Sequence, residues 1–449
     1  MEGPKSNLLQ HRKGVAVAAD GCRLAYETSG DPQSKDKVLL VMGFSCCHSY
    51  WDPQKEVLCG GGEAEEGGGL EICWFDNRGV GSSDIPFGRY STRQLAADCI
   101  SLMQALRWID SPPPPPSGRS KGLRRRQLHT SNRLHLVGWS LGGMIVQELV
   151  LLLLDEGIQP ASMLLACTHS GGWRILPPLG SFLDILRVAT STNPSRRIRT
   201  VLPLHYTTDF LKSGGLGGMA SEERMNGEVL HEDYKSRAPF RDFSLARQLP
   251  GIIGHLLATV THHVSRRRLR RIGQNLEGRC IVVAAGRDRL IPSKHSHQLA
   301  DFLGEETKFF EFEANGHMIN VEMKSVFNRI LWHHVMEASK GKRNPEVWSE
   351  LAEHEGSRSR RRASGPWDRL LHALHVLLGW NVKMFIVFPF AFFISLIALL
   401  WKNLFLKPCT ILFGKHITSI SISQMRRGIF SWVSSMVSRE QVRRRTHEL

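Results

Sequence analysis

Apolar and polar positions alternate near the start of the chain, and the period then changes. Gly14-Val15-Ala16-Val17-Ala18 and Cys22-Arg23-Leu24-Ala25-Tyr26-Glu27 each read as a short strand, with Asp20-Gly21 as the tight turn of a hairpin. Farther on, short solid apolar runs take over: Val38-Leu39-Leu40-Val41, Leu134-His135-Leu136-Val137, Met163-Leu164-Leu165-Ala166 and Cys280-Ile281-Val282-Val283-Ala284-Ala285. Lys308-Phe309-Phe310-Glu311-Phe312-Glu313 alternates once more. Between these runs lie stretches with helical spacing, including Thr92 to Leu106, Gly143 to Val150 and Ser296 to Leu303. A strand covered on both faces is apolar throughout, and strands that alternate with helices predict an α/β fold with a mostly parallel sheet and helices on both faces.

Three polar residues stand where such a sheet exposes chemistry. Ser140 lies in Gly138-Trp139-Ser140-Leu141-Gly142, directly after one apolar run and directly before a helical stretch. A strand that reverses into a helix this sharply holds the turn residue in a strained conformation, and flanking glycines leave its hydroxyl open at a helix N-terminus. A serine hydroxyl is a weak nucleophile and needs a base, which in turn needs an orienting acid. The run at 280–285 empties into Gly286-Arg287-Asp288, making Asp288 the candidate acid. The run at 308–313 leads to Ala314-Asn315-Gly316-His317, making His317 the candidate base. Position selects His317 from the 20 histidines, since His295 and His297 fall in a helical stretch. The alternative acid site, the loop Thr168-His169-Ser170-Gly171-Gly172, contains no carboxylate.

With these residues in place, residues 14–341 resemble an α/β-hydrolase of the lipase, esterase and C–C hydrolase-like branch. Two further motifs carry the resemblance. Lys37-Val38-Leu39-Leu40-Val41-Met42-Gly43-Phe44 is similar to the family's oxyanion strand and loop, with Trp51 following. Asp76-Asn77-Arg78-Gly79-Val80-Gly81-Ser82-Ser83-Asp84 is similar to its Asp-x-Arg-Gly turn, whose Asp76, Arg78 and Asp84 are expected to brace backbone. Methionine replaces the usual histidine before Gly43, and the acid turn is one residue tighter than the common form. The resemblance implies a Ser140–His317–Asp288 triad, backbone N–H groups of Phe44 and Leu141 as the oxyanion hole, and no cofactor or metal. It also implies a helical cap between the apolar runs at Met163 and Cys280, at about 173–275. Apolar residues there (Leu179, Phe182, Leu183, Leu186, Leu202, Leu204, Tyr206) suit an uncharged or lipid-like acyl substrate.

The remaining segments differ in composition. Residues 1–13 read as a flexible terminus, and the glycine-rich 59–69 and proline- and arginine-rich 111–130 as flexible loops. A basic linker at 342–369 precedes a membrane-associated segment at 370–401, which runs without a charge from Met384 to Trp401, and a basic tail follows at 402–449. The net charge of +16 sits largely in these parts without aromatic interleaving, which favours an anionic membrane surface over nucleic acid as partner. The nine cysteines show no metal-ligand spacing and fit a reducing compartment. Met1 to Asn7 lack the apolar core of a secretory signal, so the hydrolase unit is expected to face the cytosol at a membrane. The expectation is therefore a membrane-associated serine hydrolase of an ester or related acyl bond. Thioester or C–C hydrolysis, or a non-catalytic ligand-binding protein, are the alternatives.

Overall fold

The structure is a computed structural model that describes residues 11–60, 69–110, 128–172, 178–216, 224–237, 244–341, 345–353 and 357–359. All of them belong to the unit Met1–Arg360. The apolar segment expected at 370–401, the basic tail, the loop interiors 61–68 and 111–127, and residues 1–10 lie outside the described residues. Among the described residues no helix is long and apolar enough to cross a membrane.

Among the described residues nine strands form one sheet. The hairpin consists of β1 (Arg12–Val17) and β2 (Arg23–Gly30), with Val15 opposite Ala25. Then come β3 (Asp36–Val41), β4 (Leu70–Phe75), β5 (Arg133–Trp139), β6 (Ser162–Ala166), β7 (Cys280–Ala285) and β8 (Lys308–Phe312). A short β9 (Ser357–Ser359) pairs antiparallel with β8. The spatial order is β1-β2-β4-β3-β5-β6-β7-β8-β9, parallel from β4 through β8 and antiparallel at both edges. This is the mostly parallel α/β sheet that the apolar runs predict.

The helices are α1 (Asp52–Gly60), α2 (Thr92–Ala105), α3 (Leu141–Asp155), α4 (Leu179–Thr190), α5 (Pro194–His205), α6 (Thr208–Lys212) and α7 (Asn226–Ser236). They continue with α8 (Leu245–Thr261), α9 (Arg266–Leu276), α10 (Lys294–Leu303), α11 (Ile319–Glu322), α12 (Lys324–Lys340) and α13 (Pro345–Glu353). Alternate strand residues feed two cores. Leu39, Val41, Leu136, Leu165 and Val282 pack with α2, α3, α9 and α10 on one face. Val38, Leu40, Val137, Leu164, Ile281 and Val283 pack with α1 and α12 on the other. Burial on both faces explains why these strands read as solid apolar runs.

The insertion after β6 closes earlier than its composition suggests. Its two ends are knitted together, with Gly172 N–H donating to the His262 carbonyl at 3.1 Å and Val264 N–H to the Ser170 carbonyl at 2.9 Å. Helix α9, counted into the cap by sequence, instead buries Leu269, Ile272 and Leu276 in the core against α3 and α10. The arginines between those three leucine and isoleucine positions hide their amphipathic spacing. A second difference lies in the stretch expected as a basic linker. There α13 buries Leu351 and lays Trp348 beside Phe310, at 6.0 Å between rings, and β9 extends the sheet edge. Likewise β1 begins at Arg12, inside the stretch expected to be flexible.

The turn after β4 carries bracing, as expected. Asp76 Oδ1 accepts from the His48 amide and Oδ2 from the Ser82 amide, each at 2.8 Å, and Asp84 Oδ2 accepts from the Arg23 amide at 2.8 Å. The Arg78 guanidinium donates to Asp98 at 2.5 and 2.6 Å and to Asp20 at 2.7 and 3.1 Å. The Arg78 and Asp98 side chains are 3% and 4% exposed, whereas Asp20 is 48% exposed. Removing one partner of a buried pair strands the other charge, which typically costs about 3–5 kcal/mol, and a half-exposed partner contributes far less. We expect Asp98→Ala to lower stability by that order and Asp20→Ala by much less, read from urea midpoints. Equal shifts would mean that the charge is not held by Asp98.

Candidate active site

Ser140 is the hinge between β5 and α3. Its backbone sits at φ 55° and ψ −119°, a left-handed conformation that costs a non-glycine residue energy. The glycines around it are required by space. A Cβ on Gly142 would lie 2.0 Å from the Val41 carbonyl oxygen, and one on Gly138 would lie 2.6 Å from the Gly142 oxygen. Because α3 enters this close to the end of β3, Gly43 comes against Ser140: its Cβ would lie 3.0 Å from Ser140 Cβ and 3.5 Å from Oγ. Thr168 supports the elbow from behind, donating from Oγ1 to the Ser140 carbonyl at 2.7 Å.

The two residues assigned to the oxyanion hole flank this point. Phe44 follows β3 and Leu141 opens α3, and among the described residues neither backbone N–H donates to any group. Two undonated amides beside a serine at a helix N-terminus suit an oxygen that gains negative charge. The loop behind Phe44 is held in a left-handed turn at Ser45, φ 51°. Of the five described non-glycine residues with positive φ, Ser45, Ser140 and Cys167 all stand at the C-terminal ends of adjacent strands β3, β5 and β6. Backbone strain is therefore concentrated where the site is.

Asp288 and His317 are joined across the ends of β7 and β8. His317 Nδ1 lies 2.6 Å from Asp288 Oδ2, and the two side chains are 5% and 0% exposed. Asp288 Oδ1 accepts from the Leu290 and Ile291 amides at 2.7 and 2.9 Å. The acid and base loops are also tied backbone to backbone, Arg287 N–H to the Asn315 carbonyl at 2.9 Å. Trp139, next to Ser140, meets the His317 ring edge to face at 6.5 Å, and Trp51 buttresses Trp139 at 5.9 Å. Ser140 Oγ forms no hydrogen bond with a described group.

Cys167 Sγ, an Asp288 oxygen and a His317 nitrogen lie within 4.8 Å of one another. These are metal-ligand types, yet the atoms are already committed: both carboxylate oxygens accept hydrogen bonds, and burial pushes the Cys167 thiol well up, keeping it protonated. A second Asp–His–Ser chain exists at the opposite end of the sheet, with His135 contacting Asp36 Oδ1 at 3.1 Å and Ser162 Oγ at 2.9 Å. Ser162 is 1% exposed at the start of a strand, with no helix N-terminus behind it, so this chain braces the sheet.

Further supports link the insertion to the site, and the sequence pattern does not mark them. His205, ending α5, hydrogen-bonds Tyr234 Oη at 2.8 Å through Nδ1, lies 6.1 Å ring to ring from His317, and accepts from the Met318 amide through its carbonyl at 2.8 Å. Glu322 ties Asn315 and Gly316 to the Thr207 amide, at 3.0, 2.9 and 2.6 Å. His255, on α8, contacts the loop behind Phe44. No local pattern marks these residues, since each acts on a partner distant in sequence.

The sequence matches the alpha/beta hydrolase family over residues 38–329, and the chain belongs to that family. It is similar to a Variovorax paradoxus protein named carbamate hydrolase RutD, 25% identical over 312 residues that span 69% of this chain and 94% of that protein. Among solved structures it resembles an enol-lactonase from Burkholderia xenovorans (TM-score 0.52, 19% identity, 72% of this chain and 100% of that one). It also resembles a thermophilic esterase from Thermogutta terrifontis (TM-score 0.51, 18% identity, 73% and 99%).

Burial shapes the pH response. It depresses His205 and His262 to about 3 and His255 to about 4, from 6.5. These rings stay neutral in the folded chain, while the unfolded chain takes up protons near 6.5. Stability is thus complete above about pH 6.5 and falls as pH drops toward 4, by on the order of a few kcal/mol per histidine. We expect the urea midpoint to decline between pH 7 and pH 5. A flat profile would mean that these rings are solvated.

Proposed function

We propose that the protein is a serine hydrolase that cleaves an ester or related acyl bond through Ser140, His317 and Asp288. The observation that carries this reading is the conjunction of a strained serine at a helix N-terminus, two undonated amides beside it and a 2.6 Å carboxylate–imidazole bond at the same sheet edge. Ser140 Oγ attacks the substrate carbonyl carbon as His317 Nε2 takes its proton. The carbonyl oxygen becomes an oxyanion facing the Phe44 and Leu141 amides. Asp288, held by two backbone amides, keeps His317 in the tautomer whose Nε2 is free to accept, and stabilises the imidazolium. Collapse of the intermediate breaks the bond to the leaving group, which takes the proton from His317. Water then attacks the acyl-serine by the same steps in reverse.

An uncharged, apolar acyl substrate suits the insertion, whose α5 and α7 turn Leu202, Tyr206, Leu230 and Tyr234 into the core beside the site. The named relatives act, by their names, on a carbamate, an enol-lactone and an ester, all carbonyl compounds with a heteroatom leaving group. The uncharged run from Met384 to Trp401, with basic clusters around it, supports attachment of the chain to a membrane with the hydrolase unit on the cytosolic side. Carbonate-resistant sedimentation of the full chain, lost on deletion of 370–449, is the expected result; a full chain that stays in solution would remove the attachment.

Fluorophosphonate labelling tests the chemistry. We expect the wild type to label, Ser140→Ala and His317→Ala to lose labelling, and Asp288→Asn to lower kcat by about three to four orders of magnitude with a smaller change in KM. A folded wild type that does not label would leave a ligand-binding protein on this fold as the better reading.

A further inference from the structure

The oxyanion loop of this chain lacks the histidine that usually precedes its glycine. Met42 stands there, and its carbonyl accepts from Asn77 Nδ2 at 2.9 Å. The loop nonetheless adopts a strained turn at Ser45, φ 51°, which does not persist without a constraint. The constraint comes from 210 residues downstream, where the Ser45 amide donates to His255 Nδ1 at 3.0 Å. The other nitrogen of the same ring, Nε2, donates to the Arg78 carbonyl at 2.8 Å. One imidazole thereby bridges the oxyanion loop and the braced turn after β4.

The protonation state is determined by these partners. An N–H pointing at Nδ1 requires that nitrogen to be bare, so the proton sits on Nε2 and the ring is neutral. Full burial, which pushes His255 down to about 4, agrees. The helix that carries the ring has no room to drift. A Cβ on Gly251 would lie 1.9 Å from the Gly79 oxygen and one on Gly254 2.3 Å from the Tyr90 ring, so α8 rests backbone to backbone on the turn. The His255 ring also meets Phe44 at 5.9 Å and Tyr90 at 6.0 Å.

We infer that His255 is the positioning residue of the oxyanion hole: by accepting the Ser45 N–H it fixes the peptide on one side of Phe44 and so aims the Phe44 amide beside Ser140. The insertion therefore completes the catalytic apparatus. This inference rests on the proposed hydrolase reading.

The test compares three variants of the full chain. His255→Leu removes both contacts, His255→Asn keeps an acceptor where Nδ1 stood, and His255→Gln keeps a donor where Nε2 stood. The rate of Ser140 labelling by a fluorophosphonate, which builds charge on the oxygen in the hole, is measured beside the thermal midpoint. We expect the rate to fall about ten- to a hundredfold in His255→Leu, by a similar factor in His255→Gln, and by only a few-fold in His255→Asn. A purely structural histidine would make labelling follow the thermal midpoint and not the retained acceptor. Asn no faster than Gln, a Leu variant as fast as wild type, or failure of all three to fold would each overturn the inference. If His255→Leu alone fails to fold, the Asn and Gln pair decides. A folded wild type that does not label would instead overturn the hydrolase reading itself.

Discussion

Everything at the site depends on how near α3 comes to the end of β3. The approach exists because Gly142 has no side chain where the Val41 carbonyl lies and Gly43 has none where Ser140 lies. One missing carbon atom on each side brings the Ser140 side chain, a helix N-terminus and the amide of a neighbouring loop to one place. The elbow at Ser140 is the backbone solution to that approach, and its positive φ is maintained by packing from both sides. The parallel sheet then does the remaining positioning, since the loops bearing Asp288 and His317 leave from the same edge.

Much of this is legible in the sequence because the physics is local. A strand buried on both faces must be apolar throughout, so β3, β5, β6 and β7 announce themselves, and the residues just past them are the candidate chemistry. That rule singles out Ser140, Asp288 and His317 as candidates, and the structure brings Asp288 and His317 into contact. What escaped was non-local or masked. α9 looked like insertion because arginines surround Leu269, Ile272 and Leu276, although Arg268 and Arg271 pair with Glu148 and Asp155 and leave the apolar stripe facing the core. α13 and β9 looked like linker because the basic run after them dominates the composition. His205, His255 and Glu322 carry no signature at all, since each is defined by a partner that only folding supplies.

Charge follows the same division. Buried ions are paired close to the sheet, as with Arg78 between Asp98 and Asp20, or Lys37 on Glu71 at 2.7 Å. The first braces the turn after β4 and the second ties the starts of β3 and β4 at the far end of the sheet. The surplus of positive charge lies mainly elsewhere, so the strongly basic composition says little about the reaction.

The knitted ends of the insertion have a consequence for how such a protein changes over time. Residues 170–172 and 262–264 are hydrogen-bonded neighbours, so the chain leaves the core and returns to it at a single point. Everything between them is a closed excursion that could be shortened, lengthened or exchanged without requiring β6 and α9 to move. Only the few side chains that reach back inward, His205 and His255 among them, limit that freedom. The excursion can therefore drift while the end of the sheet that carries Ser140, Asp288 and His317 is inherited unchanged, provided a replacement brings its own ring to the Ser45 amide.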